Sequence, residues 1–283
     1  MLAPLLLRGA ILSPLKRRPR PDAPLPGARP TLTDVRPSPA HLDAYSRLCG
    51  YRTTPRTLPL TYPHVLSFPL AMRLMTTRAF PLPLLGLVHT SIEITRHRAL
   101  TAADSLELSV HAAHLSPHRR GTEATLVTEA RVDGTTVWTS SSTYLARHRT
   151  ADAQPGPPPR EVAPLPARAE WQLPPDLGRR YGAVSGDRNP IHLYPLTARL
   201  LGFPRAIAHG MWTVARCLAE YDTLHGTPEA AHVHADFKAP VLLPGTVTYA
   251  ADGHAFQLLD ADGTTIHLSG TLHQGTPRSG TPR

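Results

Sequence analysis

One short stretch carries most of the information in this sequence: Tyr181-Gly-Ala-Val-Ser-Gly-Asp-Arg-Asn-Pro-Ile-His192, followed by Gly202-Phe203 and Ile207-Ala-His-Gly210. It places an acid, an amide, a proline and an imidazole within one turn, and a glycine follows where a helix is predicted to begin. Backbone N–H groups in the first turn of a helix have no intrahelical acceptor. The stretch therefore holds the groups needed to move a proton and a water across an activated double bond.

The order of residues in this stretch predicts a turn. Asp187 and His192 are five positions apart, which does not make them neighbours on a regular helix. Pro190 disfavours helical geometry at Asn189, so the preceding helix should end near Gly186. Asp187 and His192 can then point into a common pocket, and the Asn189 side chain can hold the turn. Each residue alone is also ordinary turn chemistry, so the prediction depends on the whole string.

Residues after the turn predict one helix and then a sheet. Apolar residues from Met211 to Tyr221 recur at helical spacing on one face. Val233, Ala235 and Phe237 alternate with polar residues, as in a strand with one covered face. The predicted strands are 232–238, 246–250, 255–259 and 264–268, with Asp262-Gly263 as a hairpin turn.

The N-terminal half repeats this order, which favours an internal duplication. Its predicted strands are 87–95, 105–112, 122–132 and 135–145. Three segments match in the same order: 44–51 with 180–187, 65–74 with 206–215, and 133–140 with 262–269. Convergent turn chemistry is the alternative explanation for these matches. A helix followed by an antiparallel meander, occurring twice, predicts an α+β fold.

Composition narrows the classes of function. The formal net charge is +9, but the arginines are scattered, which favours a phosphate-bearing ligand or an acidic carrier over nucleic acid. The two cysteines are too few for a disulfide framework, and there is no nucleotide-binding or serine-hydrolase motif. No apolar run reaches the roughly 20 residues that span a membrane. Near the N-terminus the apolar part precedes the basic cluster, the reverse of a secretory signal, so we expect a cytoplasmic protein.

The stretch 185–192, with Ala198, Gly202-Phe203 and Ile207–Met211, resembles the hydratase-2 motif of the MaoC-like (R)-specific enoyl hydratases and 3-hydroxyacyl-thioester dehydratases. This resemblance implies a hot-dog fold, in which an antiparallel sheet wraps around a central helix. The duplication resembles the double hot-dog members. The implied activity is that of a hydro-lyase of fatty acid metabolism, without metal or redox cofactor.

The resemblance also assigns residues. It implies that Asp187 and His192 are the catalytic pair, that Asn189 supports them, and that the Gly210 N–H is the oxyanion donor. The residues leave open which of the pair handles the α-proton; we assign it to Asp187 and the water or hydroxyl to His192. The implied substrate is an acyl thioester on acyl carrier protein or coenzyme A. The predicted substrate-binding residues are Arg188, His209, Phe203 and Lys238.

The N-terminal half is predicted to be a non-catalytic copy. Tyr51 aligns with Asp187, and Pro69, which has no N–H, aligns with Gly210. We expect this copy to form a pseudo-dimer with the active half and to shape the acyl tunnel; a further homodimer stays open. The predicted boundaries are a flexible N-terminus (1–30), the degenerate hot-dog (31–147), a Pro-rich linker (148–168), the catalytic hot-dog (169–275) and a flexible tail (276–283), within a loose closing stretch from 269.

Two other classes of function remain. A hot-dog thioesterase would release free thiol from an acyl thioester. A non-catalytic module would bind the thioester without turnover. The string Asp187-Arg-Asn-Pro-Ile-His192 disfavours the first, and its completeness in one copy disfavours the second. Chain length and physiological direction are not predicted.

Overall fold

A computed structural model describes residues 21–51, 57–150 and 163–275. The N-terminal half contains β1 (Thr31–Val35), α1 (Pro39–Cys49), α2 (Tyr62–Met75), β2 (Leu87–Arg96), β3 (Leu106–His118), β4 (Gly121–Val132) and β5 (Thr135–Arg147). The C-terminal half contains β6 (Ala167–Leu173), α3 (Leu177–Ser185), α4 (Pro190–Leu193), α5 (Pro195–Leu200), α6 (Gly210–His225), β7 (Ala231–Phe237), β8 (Gly245–Asp252), β9 (Ala255–Asp260) and β10 (Ile266–Gln274). No helix within these residues is long and apolar enough to cross a membrane.

The strands form one sheet whose two halves mirror each other. Its order is β1-β3-β4-β5-β2 followed by β7-β10-β9-β8-β6. The halves meet at the antiparallel pair β2 and β7, where Ile92 lies opposite Ala235 and Ile94 opposite Val233. All four of these side chains are buried. The predicted α+β class and the duplication are confirmed, because the same strand order occurs twice about this central pair.

The helices pack between the two halves. α1 contacts α3, and the rings of Tyr45 and Tyr181 lie 6.3 Å apart at this contact. α1 ends at Gly50 and α3 ends at Gly186, both with left-handed backbones, at φ values of 84° and 78°. α2 of the first half contacts α3 of the second, as α6 of the second half contacts α1 of the first. In each half, the helix that leads into the turn therefore packs against helices of the other half.

The predicted apolar face of α6 is confirmed, since Val214, Ala215 and Leu218 are buried. They belong to the same apolar core as Leu70 and Leu74 of α2. Burying side chains of this size contributes roughly 1.5–3 kcal/mol each. One core thus holds both halves together.

The predicted alignment of Pro69 with Gly210 was wrong. Gly210 is the first residue of α6, whereas Pro69 lies inside α2. The first residue of α2 is Tyr62, whose N–H donates to the Pro59 carbonyl. The error is seven residues, about two helical turns, and an apolar pattern repeats after two turns. Sequence periodicity alone cannot detect a displacement of that length.

The closing stretch is also more ordered than predicted. β10 continues to Gln274, which pairs with Ala231 of β7. β6 begins at Ala167, inside the last two residues of the predicted linker. Residues 151–162 of that linker, together with 1–20 and 276–283, lie outside the described residues. The domain boundaries themselves stay predictions.

Candidate active site

The turn after α3 is built by side chains that bond to nearby backbone. Asp187 N–H donates to Ser185 Oγ at 3.2 Å, and Asp187 Oδ1 accepts from the Asn189 N–H at 3.1 Å. Asn189 Oδ1 accepts from the Ile191 N–H at 3.4 Å, which caps the short helix α4. Asn189 therefore holds the turn as its position predicted.

Two glycines of α3 let this turn lie against the helix. A Cβ at Gly178 would lie 1.9 Å from the His192 carbonyl oxygen, and one at Gly182 would lie 2.7 Å from the Asp187 carbonyl oxygen. Both are contacts with backbone, which cannot rotate away as a side chain can. The small residues of α3 thus set where Asp187 and His192 can be.

His192 is buried and has a defined tautomer. Its Nδ1 lies 2.8 Å from the Ile207 carbonyl oxygen, which can only accept, so Nδ1 carries the proton and Nε2 presents a lone pair. Burial lowers the pKa of His192 below its ordinary value of 6.5, although the charge of Asp187 and the bond to Ile207 act in the opposite direction. His192 is therefore neutral at neutral pH.

His209 contacts both Asp187 and His192. The sequence had predicted it only as a substrate-binding residue. Its ring stacks on that of His192, with centroids 3.7 Å apart, and its Nε2 lies 3.0 Å from the Asp187 carbonyl oxygen. The same nitrogen is 3.9 Å from Asp187 Oδ2. Burial and the neighbouring His192 hold the pKa of His209 well below its usual range, so it too is uncharged. Its packing keeps the His192 ring in place.

The three side chains converge on one point. One carboxylate oxygen of Asp187 and one ring nitrogen each of His192 and His209 all lie within 4.8 Å of one another. A single water with two hydrogen bonds of about 2.8 Å spans a gap of this size. Among the described residues this is also the group of donors that could hold a metal ion.

Gly210 begins α6 directly after His209, which is its N-cap residue. As the N–H of the first helical residue, the Gly210 N–H has no carbonyl four residues earlier within the helix to bind, and it lies at the positive end of the helix dipole. A Cβ at Gly210 would lie 2.7 Å from Phe237 Cε1. A side chain at this position would therefore displace either the Phe237 ring or the start of α6.

Comparison with known proteins shows the family of this chain. A family model described as the MaoC like domain matches residues 150–263. A curated protein of Mycobacterium tuberculosis, 3-hydroxyacyl-thioester dehydratase X, is 40% identical over 238 residues, 83% of this chain and 84% of that protein. The chain belongs to the MaoC-like dehydratase family.

Solved structures of MaoC-like proteins share the fold. The crystal structure of HtdX of Mycobacterium tuberculosis at 2.4 Å resolution has a TM-score of 0.76 at 35% identity, covering 88% of this chain and 100% of that one. A MaoC-like dehydratase from Phytophthora capsici has a TM-score of 0.71 at 16% identity, covering 90% and 98%, and shows likeness of fold alone. The predicted double hot-dog fold is confirmed.

In this MaoC-like chain the N-terminal half also reaches the site, which the sequence did not predict. His64 of α2 is buried, and the charge of Asp187 acts on it. His89 of β2 stacks on Tyr144 of β5 at 4.5 Å between centroids and contacts Phe237 at 4.8 Å. The sequence signal was a histidine, His64, in a largely apolar helix.

The remaining predicted binding residues are Arg188, Phe203 and Lys238. Arg188 is exposed, and Phe203 follows α5, with its N–H donating to the Ala198 carbonyl. Lys238 Nζ is 2.9 Å from Asp236 Oδ2, so its charge is already paired. The structure brings together Asp187, His192 and His209 near the start of α6. Substrate binding by Arg188, Phe203 and Lys238 stays a prediction.

Proposed function

We propose that this protein is a (3R)-3-hydroxyacyl-thioester dehydratase of fatty acid metabolism, and in reverse a trans-2-enoyl-thioester hydratase. The observation that carries the proposal is the convergence of Asp187 and His192 beside the first turn of α6. The likeness to a curated 3-hydroxyacyl-thioester dehydratase supports it.

In hydration, one water donates its two hydrogens to two acceptors. Neutral His192 offers the Nε2 lone pair, and ionised Asp187 offers a carboxylate oxygen, which leaves the water oxygen free to attack C3 of the enoyl group. Asp187 takes one proton from the water and delivers it to C2, while His192 holds the hydroxyl hydrogen. Asp187 thus ends in its starting state. Proton transfer of this kind contributes typically 10²–10⁴-fold.

Negative charge develops on the thioester oxygen as the water adds. The Gly210 N–H is the proposed donor, because it belongs to the first turn of α6 and lies next to His209 in the chain. A preorganised donor aimed at an oxyanion is worth roughly 3–4 kcal/mol. In dehydration the steps reverse: Asp187 takes the C2 proton and gives it to the departing hydroxyl, which leaves as water.

The carrier of the acyl group is proposed to be acyl carrier protein or coenzyme A. Arg188, Arg199 and Arg205 are exposed on the segment that carries His192 and offer cationic contacts for either anionic carrier. Lys238 is also exposed and is paired with Asp236 in a surface ion pair, which an anionic carrier can replace.

Hydration of crotonyl-CoA, followed as loss of enoyl absorbance, tests the proposal. We expect turnover that yields the (3R)-hydroxy product without release of free thiol. A thiol-trapping reagent run in parallel separates this activity from that of a thioesterase. Thiol release, or no turnover with enoyl thioesters of any length on either carrier, would reject the proposal.

The pH dependence of kcat/KM tests the protonation state of His192. The mechanism needs its neutral form, and burial lowers its pKa below 6.5. We therefore expect activity to be retained as pH falls through 6.5 and to decline only in more acidic solution, where His192 gains a proton. A decline that begins above pH 6.5 would contradict the assigned role, provided circular dichroism shows that the protein stays folded.

A further inference from the structure

Two histidines of the N-terminal half are linked to the site and have buried ring nitrogens that are not used in hydrogen bonds. Within the described residues, His64 Nδ1 and His89 Nε2 are buried and have no hydrogen-bond partner. His64 is only 8% exposed. Their rings are nearly parallel, at 13°, with centroids 6.3 Å apart. Buried polar atoms are nearly always paired in folded proteins, so two unpaired nitrogens side by side need an explanation.

Their surroundings connect them to the reacting groups. His64 feels the charge of Asp187, and Phe237 contacts His89 on one side and occupies the space beside Gly210 on the other. Phe237 thus contacts both His89 and the helix start where the thioester oxygen is proposed to lie. The bulky carrier must remain near the surface, whereas His64 is buried, so these nitrogens lie on the acyl side of the site.

We propose that His64 and His89 form a polar subsite for an oxygen substituent on the acyl chain, a hydroxyl or keto group beyond the reacting carbons. The inference rests on the proposed function. Although the N-terminal half lacks the catalytic pair, it would then take part in substrate selection.

The charges favour a neutral group. Burial lowers the pKa of His64 to about 4 and that of His89 to about 3, so both rings are uncharged at neutral pH. One nitrogen of each neutral ring is without a partner, and such a nitrogen either donates or accepts according to the tautomer, which suits a hydroxyl or a carbonyl. The negative charge of Asp187 disfavours a carboxylate or phosphate at this position. A plain alkyl chain would leave both nitrogens unpaired, and each such loss is worth about tenfold or more in binding.

The test compares trans-2-octenoyl-CoA with derivatives that carry one hydroxyl or keto group at successive distal positions. We expect the wild-type protein to prefer at least one oxygenated chain by about tenfold or more in kcat/KM. His64→Leu and His89→Phe should each reduce that preference and improve turnover of the plain chain. His64→Asn, which keeps a donor and an acceptor, should retain part of the preference.

A matched control is His111→Phe. His111 also lies in the N-terminal half and has a buried, unpaired Nδ1 among the described residues, but its charged neighbours are Arg29 and Glu129. This substitution should leave the preference unchanged. If a Leu or Phe variant does not fold, the subsite is still tested by the substrate preference of the wild-type protein and by the comparison of His64→Asn with it.

Two outcomes would overturn the subsite. One is a wild-type protein that turns over plain and oxygenated chains equally well. The other is a pair of variants that slow both substrates by the same factor, as a purely structural role would. Failure of the proposed function looks different, because then no enoyl thioester of either kind is hydrated.

Discussion

Asp187→Asn is expected to reduce kcat for enoyl-thioester hydration by about three orders of magnitude, because the amide cannot carry the proton between water and C2. The turn should survive, since an amide oxygen can still accept from the Asn189 N–H as Asp187 Oδ1 does. Initial rates with crotonyl-CoA, together with a thermal melt, measure the two effects separately. Full activity in this variant would remove Asp187 from the mechanism.

Tyr51→Phe is the matched control for that substitution. Tyr51 follows Gly50 as Asp187 follows Gly186, so the two residues occupy equivalent positions in the two halves. Tyr51 is buried, and within the described residues its hydroxyl has no hydrogen-bond partner. Its loss should leave the chemical step unchanged. A large fall in kcat would show that the N-terminal copy takes part in catalysis.

His192→Ala should act on the same step through a different group. It removes the Nε2 acceptor that holds the hydroxyl hydrogen, and the expected loss in kcat is about 10²-fold or more. Because His192 and Asp187 act on one water, the kcat of the double variant should be only slightly lower than that of the less active single variant. Losses that multiply fully would indicate that the two groups act independently.

Gly210→Ala is expected to cost about 10²-fold in kcat/KM, although alanine keeps the backbone N–H. The new Cβ would lie 2.7 Å from Phe237 Cε1, so either the ring or the start of α6 must move. A shift of that helix start displaces the proposed oxyanion donor. Alanine itself is favourable in a helix, so intrinsic propensity does not predict this loss.

Phe237→Ala tests the cause by making room for the added methyl group. We expect the Gly210→Ala, Phe237→Ala double variant to be more active than Gly210→Ala alone, which a double-mutant cycle detects as coupling. If Gly210→Ala were as active as wild type, or if the second substitution restored no activity, contact with Phe237 would not be what fixes the position of the Gly210 N–H.

Some features of this protein follow from short stretches of sequence. The turn from Ser185 to His192 depends on the left-handed Gly186, on Pro190 and on the Asn189 cap, all within a few residues of one another. The apolar face of α6 and the alternation in β7 follow from the periods of helix and strand. These local causes were enough to predict the α+β repeats and to bring Asp187 and His192 together.

Other features depend on packing between residues far apart in the chain. The charge of Asp187 acts on His64 because α2 of one half packs on α3 of the other, and no local pattern encodes that helix contact. The tautomer of His192 depends on the Ile207 carbonyl, fifteen residues away. The two-turn error at Pro69 has the same origin. An apolar stripe determines which face of a helix is buried, but tertiary contacts alone determine where along its partner the helix lies.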